Sequence, residues 1–177
     1  MKRILVATIG LAALTAGCTG NTVSGDPAPT SGGSTPTSTS SSASGLEGVK
    51  PCDLLSEAEV TGLGLKYPGE AEQLGVAITC SWNISGNGGL LAGIRTKSGL
   101  ADLNLSGDKI SDVKVGKYDA KKVEAQDGAK NICTFAIAVS DSSSVVVIGN
   151  LTGTSDDTAA ACERSSKAAE LIAPKLP

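Results

Sequence analysis

Residues 132–151 read ICTFAIAVSDSSSVVVIGNL. Ile132 to Val139 is apolar and β-favouring, and Val145 to Leu151 is strongly β-branched. Between them, Asp141-Ser142-Ser143-Ser144 has turn chemistry. The stretch therefore predicts two antiparallel strands joined by a tight connection. It sets the class of the chain, because everything around it reads as more strands with a helix at each end.

Upstream, Val76 to Ile84 alternates: Val76, Ile78, Cys80, Trp82 and Ile84 fall on one face, and Ala77, Thr79, Ser81 and Asn83 on the other. That is the period of a half-buried strand. Gly86-Asn87-Gly88-Gly89 is a turn, and Leu90 to Thr96 returns as a hairpin partner. A strand over Tyr118 to Ala125, following Val113-Lys114-Val115 and a turn at Gly116, makes five. Leu100 to Leu105 is ambiguous and fits a short helix.

At the front, Ser56 with Glu59 three residues on forms a capping box, and the helix it opens runs to about Leu63, with Gly64 just past its end. At the back, Asp156 and Asp157 favour a helix start, and Pro174 stops the helix at about Ala173. Ala159, Cys162, Ser166, Ala169 and Ile172 share one face of it. The expected fold is α+β: an antiparallel sheet of about five strands, packed by an N-terminal and a C-terminal helix.

The N-terminus reads as an address. Lys2 and Arg3 precede the apolar run Ile4 to Leu14, which is too short to span a bilayer and has the length of a signal core. Leu14-Thr15-Ala16-Gly17-Cys18 follows. It resembles the lipobox of bacterial lipoproteins, although the common leucine sits one place early and Thr15 fills its slot. The resemblance implies cleavage before Cys18 and a diacylglycerol on its sulfur, with acyl chains such as palmitate. The alternative is an ordinary secreted protein cut after Ala16 or Gly17. Residues 1–17 are then a signal peptide. Residues 18–48 are the lipidated cysteine and a tether, and 49–177 a single globular domain. Within the tether, the 25 residues Asn21 to Gly45 hold 8 Ser, 5 Thr, 4 Gly and 3 Pro, with no apolar face to bury.

Composition closes off several functions. The chain of 177 residues has no histidine, so a Ser-His-Asp or Cys-His nucleophile and a His metal site are excluded. Its formal charge is −3 and aromatics are 2 %, which argues against nucleic acid as a partner. Besides Cys18 there are four cysteines, Cys52, Cys80, Cys133 and Cys162. An even number in an exported chain reads as two disulfides. Three pairings are possible. The sequence-near one, Cys52–Cys80 with Cys133–Cys162, is preferred because it ties each flanking helix to a strand. The spacing suits no metal site, and no cofactor is expected.

Candidate sites each have a plainer explanation. Trp82 could stack on a sugar or peptide, but on an alternating strand it reads as core. Ser111 and Lys114 match the Ser-x-x-Lys of penicillin-recognising enzymes, without the companion Lys-Thr-Gly. Glu57 with Glu59 is explained by capping, and Asp156 with Asp157 by the helix dipole rather than by calcium. Glu70 with Glu72 is the remaining carboxylate pair, and Lys121-Lys122 is a solvated charge pair. The glycines at 86–89 suit a hairpin better than an anion cradle.

Assembled, the lipobox and Ser/Thr/Pro tether lead to Pro51-Cys52-Asp53-Leu54-Leu55-Ser56 with Glu59-Val60 behind it. Cys80-Ser81-Trp82 follows on a strand, Cys133 on a later strand, and Cys162 in an Ala-rich terminal helix. Over about residues 49–173 this resembles the actinobacterial lipoproteins of the domain-of-unknown-function 3558 family. The resemblance implies a compact α+β domain similar to the Mog1/PsbP-like sandwich, with structural cysteines and Trp82 packed beside a disulfide. It implies no catalytic residue. The expectation is a non-enzymatic module on the outer face of the cell membrane, held by its lipid. Its partner would be an envelope protein, a peptide or a small ligand. The alternatives are an accessory factor of an envelope complex, or an envelope hydrolase or acyl-transfer enzyme built on Ser111 with Lys114 or on a carboxylate pair.

Overall fold

A computed structural model describes residues 44–177. Seven strands form one antiparallel sheet: β1 (Glu70–Leu74), β2 (Ala77–Asn83), β3 (Gly89–Arg95), β4 (Gly107–Val115), β5 (Tyr118–Gln126), β6 (Ile132–Ser140) and β7 (Ser143–Asn150). Their spatial order is β1-β2-β3-β7-β6-β5-β4. Two meanders are thus zipped together, and β7, last in sequence, lies beside β3 in the middle. The decisive stretch of the sequence is the central hairpin β6–β7, paired from Ile132↔Asn150 to Ser140↔Ser143.

The sheet has two more strands than the sequence pattern predicts, and both additions, β1 and β4, are its edges. An edge strand buries little, so it carries no alternation to detect. All of β1 is exposed, and β4 buries only Val115 fully.

Directly paired residues share a face. One face carries the row Trp82, Leu90, Gly149, Cys133 and the row Cys80, Ala92, Val147, Phe135. The C-terminal helix α1 (Thr158–Ile172) packs across it, against β6 and β7 above all. Asp157 caps its start, accepting from the Ala160 N–H at 2.9 Å. Its buried side is Ala161, Cys162, Ser165, Ala168, Ala169 and Ile172. The helix is rolled relative to the expected stripe: Ala159 is exposed and Ser166 only half-buried. Gly149 lets it lie close, since a Cβ there would meet the Ala161 carbonyl oxygen at 2.5 Å.

The N-terminal cover is not the helix the sequence suggests. It is a 3-10 turn, Pro51–Leu54, packed on β1, β2 and β3. Leu55 is extended, and only then does a six-residue helix run from Glu57 to Gly62 behind the Ser56/Glu59 capping box. The break at Leu55 keeps the two helical pieces from joining. Packing also reaches upstream of Val49. Leu46 is buried in the core, and the Ser143 hydroxyl donates to the Ser44 carbonyl at 3.0 Å.

Two disulfides bolt these covers to the same face. Cys52 on the 3-10 turn is bonded to Cys80 on β2, and Cys162 on the helix to Cys133 on β6, with Cα separations of 5.0 and 4.8 Å. The β2 alternation holds only where a cover lies above it. Cys80 and Trp82 are buried, whereas Val76 is 73 % and Ile78 49 % exposed, beyond the end of the core.

Candidate functional site

Among the described residues, the other face of the sheet carries no helix. Because β3 and β4 are separated by β7, β6 and β5, the chain between them must cross that face. It does so over residues 96–106, with one short 3-10 turn at Leu100–Asp102. The pairings Arg95↔Ser144, Gly93↔Val146, Leu91↔Ile148 and Thr134↔Ile148 put Arg95, Val146, Ile148 and Thr134 on this face. Between crossover and sheet lies a half-open cavity of about 330 Å³. Val146 and Ile148 line it from the sheet, Leu103 and Leu105 from the crossover, and Arg95, Asp102, Asn104, Gln126 and Thr134 supply its polar atoms. Its volume is in the lower part of the range of small-molecule sites.

The polar groups differ in how far they are satisfied. Thr134 donates to the Gln126 Oε1, and the Gln126 amide donates to Asp127 at 3.4 Å. Asp102 is committed to the crossover, its Oδ2 accepting the Gly99 N–H at 2.9 Å. Arg95 is in none of the ion pairs among the described residues, and its Nε is buried without a hydrogen-bond partner. A guanidinium N–H removed from water and left unpaired costs on the order of 1–3 kcal/mol or more. Such a group bordering a cavity is suited to receive an acceptor.

Hollows on the opposite side lack that feature. One of about 570 Å³ beside the helix is lined by Lys122, Glu124, Phe135, Cys162 and Glu163, and its charges are already paired, Lys122 with Glu124 at 3.0 Å and Glu163 with Lys167 at 2.7 Å. Lys122 holds the Glu124 carboxyl below its ordinary value. Another of about 420 Å³, between the two helices, is walled by Leu63 and Leu171. Glu59 at its rim is bound by Lys175, which with the Ser56 N–H draws its carboxyl down to about 2.

The residues singled out from the sequence do not converge on any of these places. Cys18 lies outside the described residues. Trp82 is 1 % exposed and belongs to the core, with Gly69 passing so near that a Cβ there would meet its Nε1 at 2.5 Å. Ser111 and Lys114 are three apart on β4, hence on opposite faces, and Lys114 is paired with Asp119 at 2.7 Å. Glu70 and Glu72 share one face of the exposed β1. Lys121 pairs with Asp112 at 2.6 Å. Residues 86–89 join β2 to β3, with the Ile84 N–H bonded to the Gly88 carbonyl at 2.8 Å. Asp157 is a cap, and no group of His, Cys, Asp and Glu among the described residues could hold a metal ion.

Sequence reasoning passed over Arg95. An arginine closing an amphipathic strand looks like any surface cation, and its seclusion is created by a crossover that is local only in space. Arg164 is a second omission. It donates to the carbonyls of Asn87 at 2.9 Å and of Asn150, tying the helix to two loops, and burial lowers its pKa.

Compared with known proteins, residues 13–175 match the family described as "Protein of unknown function (DUF3558)". No curated protein and no solved structure matches.

Proposed function

The chain belongs to the DUF3558 family, and on that premise we propose that it is a lipid-anchored cell-envelope lipoprotein that works by binding rather than by catalysis. The observation that carries the reading is a division of labour among its five cysteines. Cys18 ends an apolar leader in the setting of a lipobox, while the other four are all consumed in disulfides. Two disulfides suit an oxidising, extracytoplasmic compartment. The family match begins at residue 13, upstream of Cys18, so the leader's end is part of what aligns with the family. A diacylglycerol on Cys18, joined by further acylation, would hold the chain durably on the membrane, with residues 19–43 between lipid and domain.

Binding is favoured over hydrolysis by the separation of Ser111 from Lys114 and by the cavity at Arg95, which offers an apolar lining and a cation without a nucleophile–base pair. The occupant would be a small molecule or a peptide side chain of the envelope.

Mass spectrometry of the mature N-terminal peptide tests the anchor. The expected result is a diacylglyceryl Cys18 in the membrane fraction, lost in Cys18→Ala. A free thiol at Cys18 in the mature wild-type chain would overturn the reading.

A further inference from the structure

We infer that the cavity at Arg95 takes a singly charged amphiphile, a carboxylate at the end of an apolar chain. The inference deepens the binding reading and rests on it, but it is independent of the lipid on Cys18.

The charge of the ligand follows from Arg95. The guanidinium is a planar fork suited to two parallel hydrogen bonds to one carboxylate. Its buried Nε has no partner, and it is in none of the ion pairs among the described residues. An incoming carboxylate would pair the charge of Arg95, which lines the cavity, and would reach the closed-off Nε only if the side chain turns toward it. One negative charge is the better match than two. A single guanidinium neutralises one, and the Asp102 carboxylate, pinned at the rim by the Gly99 N–H, repels a second. Asp102 lines the same cavity but forms no ion pair with Arg95.

The body of the ligand follows from the lining. Val146 and Ile148 from the sheet and Leu103 and Leu105 from the crossover leave an apolar trough. Thr134 and Gln126 spend their hydrogen-bonding capacity largely on each other and on Asp127. A carboxylate on Arg95 would thus be followed by hydrocarbon on these four side chains, with room for one polar contact to Asn104. Arg95 ends β3, and Ile148 lies further along the sheet, so head and tail have distinct places.

The chain from Thr19 onward, which keeps the described core and both disulfides but not Cys18, is the protein titrated. Octanoate is titrated into it by calorimetry and by amide NMR, with octanol and octylamine as chain-matched controls. Octanoate is expected to shift the amides of residues 95, 103–105, 134 and 146–148. Arg95→Met should weaken it roughly tenfold or more, the size expected for a lost charge-assisted pair. Unchanged amide shifts in the helix confirm that the variant is folded, and Arg95→Lys should fall between the two.

Octanol binding as tightly as octanoate would overturn the anionic head while leaving the cavity a binding site. Octanoate binding that Arg95→Met leaves unchanged would overturn the inference outright. No shift at these residues up to about 10 mM octanoate, a concentration that detects even weak sites, would overturn the inference while leaving the binding reading to other ligand classes.

Discussion

The two faces of this sheet are closed by different means. On one, a helix and a 3-10 turn are each bolted down by a disulfide, and the space beneath is filled by Trp82, Leu90, Ile94, Ile137 and Val147. On the other, eleven residues of crossover lie over the strands with no covalent tie, and they leave a cavity with an unpartnered arginine nitrogen. The contrast separates stability from recognition. The cross-linked face also has hollows beside its helix, of about 570 and 420 Å³, but the charged groups Lys122, Glu124 and Glu59 that border them are already paired. Each face retains one buried nitrogen without a hydrogen-bond partner, Trp82 Nε1 beneath the covers and Arg95 Nε beneath the crossover, and of the two only Arg95 is a charged group bordering a cavity.

The sharpest way to break this comparison is to unbolt the packed face. Replacing Cys133 and Cys162 by alanine removes a cross-link across 29 positions. It should cost about 3 kcal/mol in a denaturant melt, in line with loop closure of that size. A loss well below about 1 kcal/mol would mean that the helix is held by packing alone.

A matched pair of glycines sharpens the contrast further. Gly149 and Gly93 sit on adjacent strands but present opposite faces. A methyl at Gly149 runs into the backbone of the helix, at 2.5 Å from the Ala161 oxygen. Gly149→Ala should therefore cost about 2 kcal/mol, as overpacking does. At Gly93 the nearest atom is the Thr79 Cγ2 at 3.3 Å, on the loosely covered face. Gly93→Ala should stay within about 0.5 kcal/mol of the parent, the strain offset by a less flexible unfolded chain. Equal losses at the two sites would refute the asymmetry.

The smallest effect concerns the pin between the Ser56/Glu59 capping box and the C-terminal turn. Lys175 and the Ser56 N–H hold Glu59 at about 2, below its ordinary 4.5. A carboxyl so lowered adds stability above pH 4.5, and that contribution disappears as pH falls towards 2. Glu59→Gln should cost about 0.5–1 kcal/mol at pH 7, the worth of a partly exposed pair and a cap. The variant should also lose less stability than the parent between pH 5 and pH 2; parallel pH curves would show that Lys175 and Glu59 do not cooperate.

Legibility in the sequence followed burial. The hairpin over 132–151 was readable because both strands are central and apolar on at least one face. The Ser56/Glu59 box and the helix start at Asp156-Asp157 were readable because both signals come from neighbours in the chain, whereas the structure adds that the Asp157 side chain itself is the cap. Glu70–Leu74 was not, since an edge strand exposed along its length has no pattern to show. The roll of the helix was missed because a stripe of alanines and serines has no strong side. Contact with Gly149 decided which residues face the sheet.

Local chemistry, then, settled the α+β class, the caps, the turns and the core role of Trp82. These depend on residues within a few positions of one another, where periodicity and hydrogen-bonding groups act directly. Only the tertiary structure decided that β7 returns to lie beside β3, that residues 96–106 must cross the open face, and that Arg95 ends up beside a cavity. Those outcomes come from pairing between strands some fifty residues apart. Such pairing leaves no trace in any short window of sequence, because its energy comes from surfaces that meet only once the chain has folded.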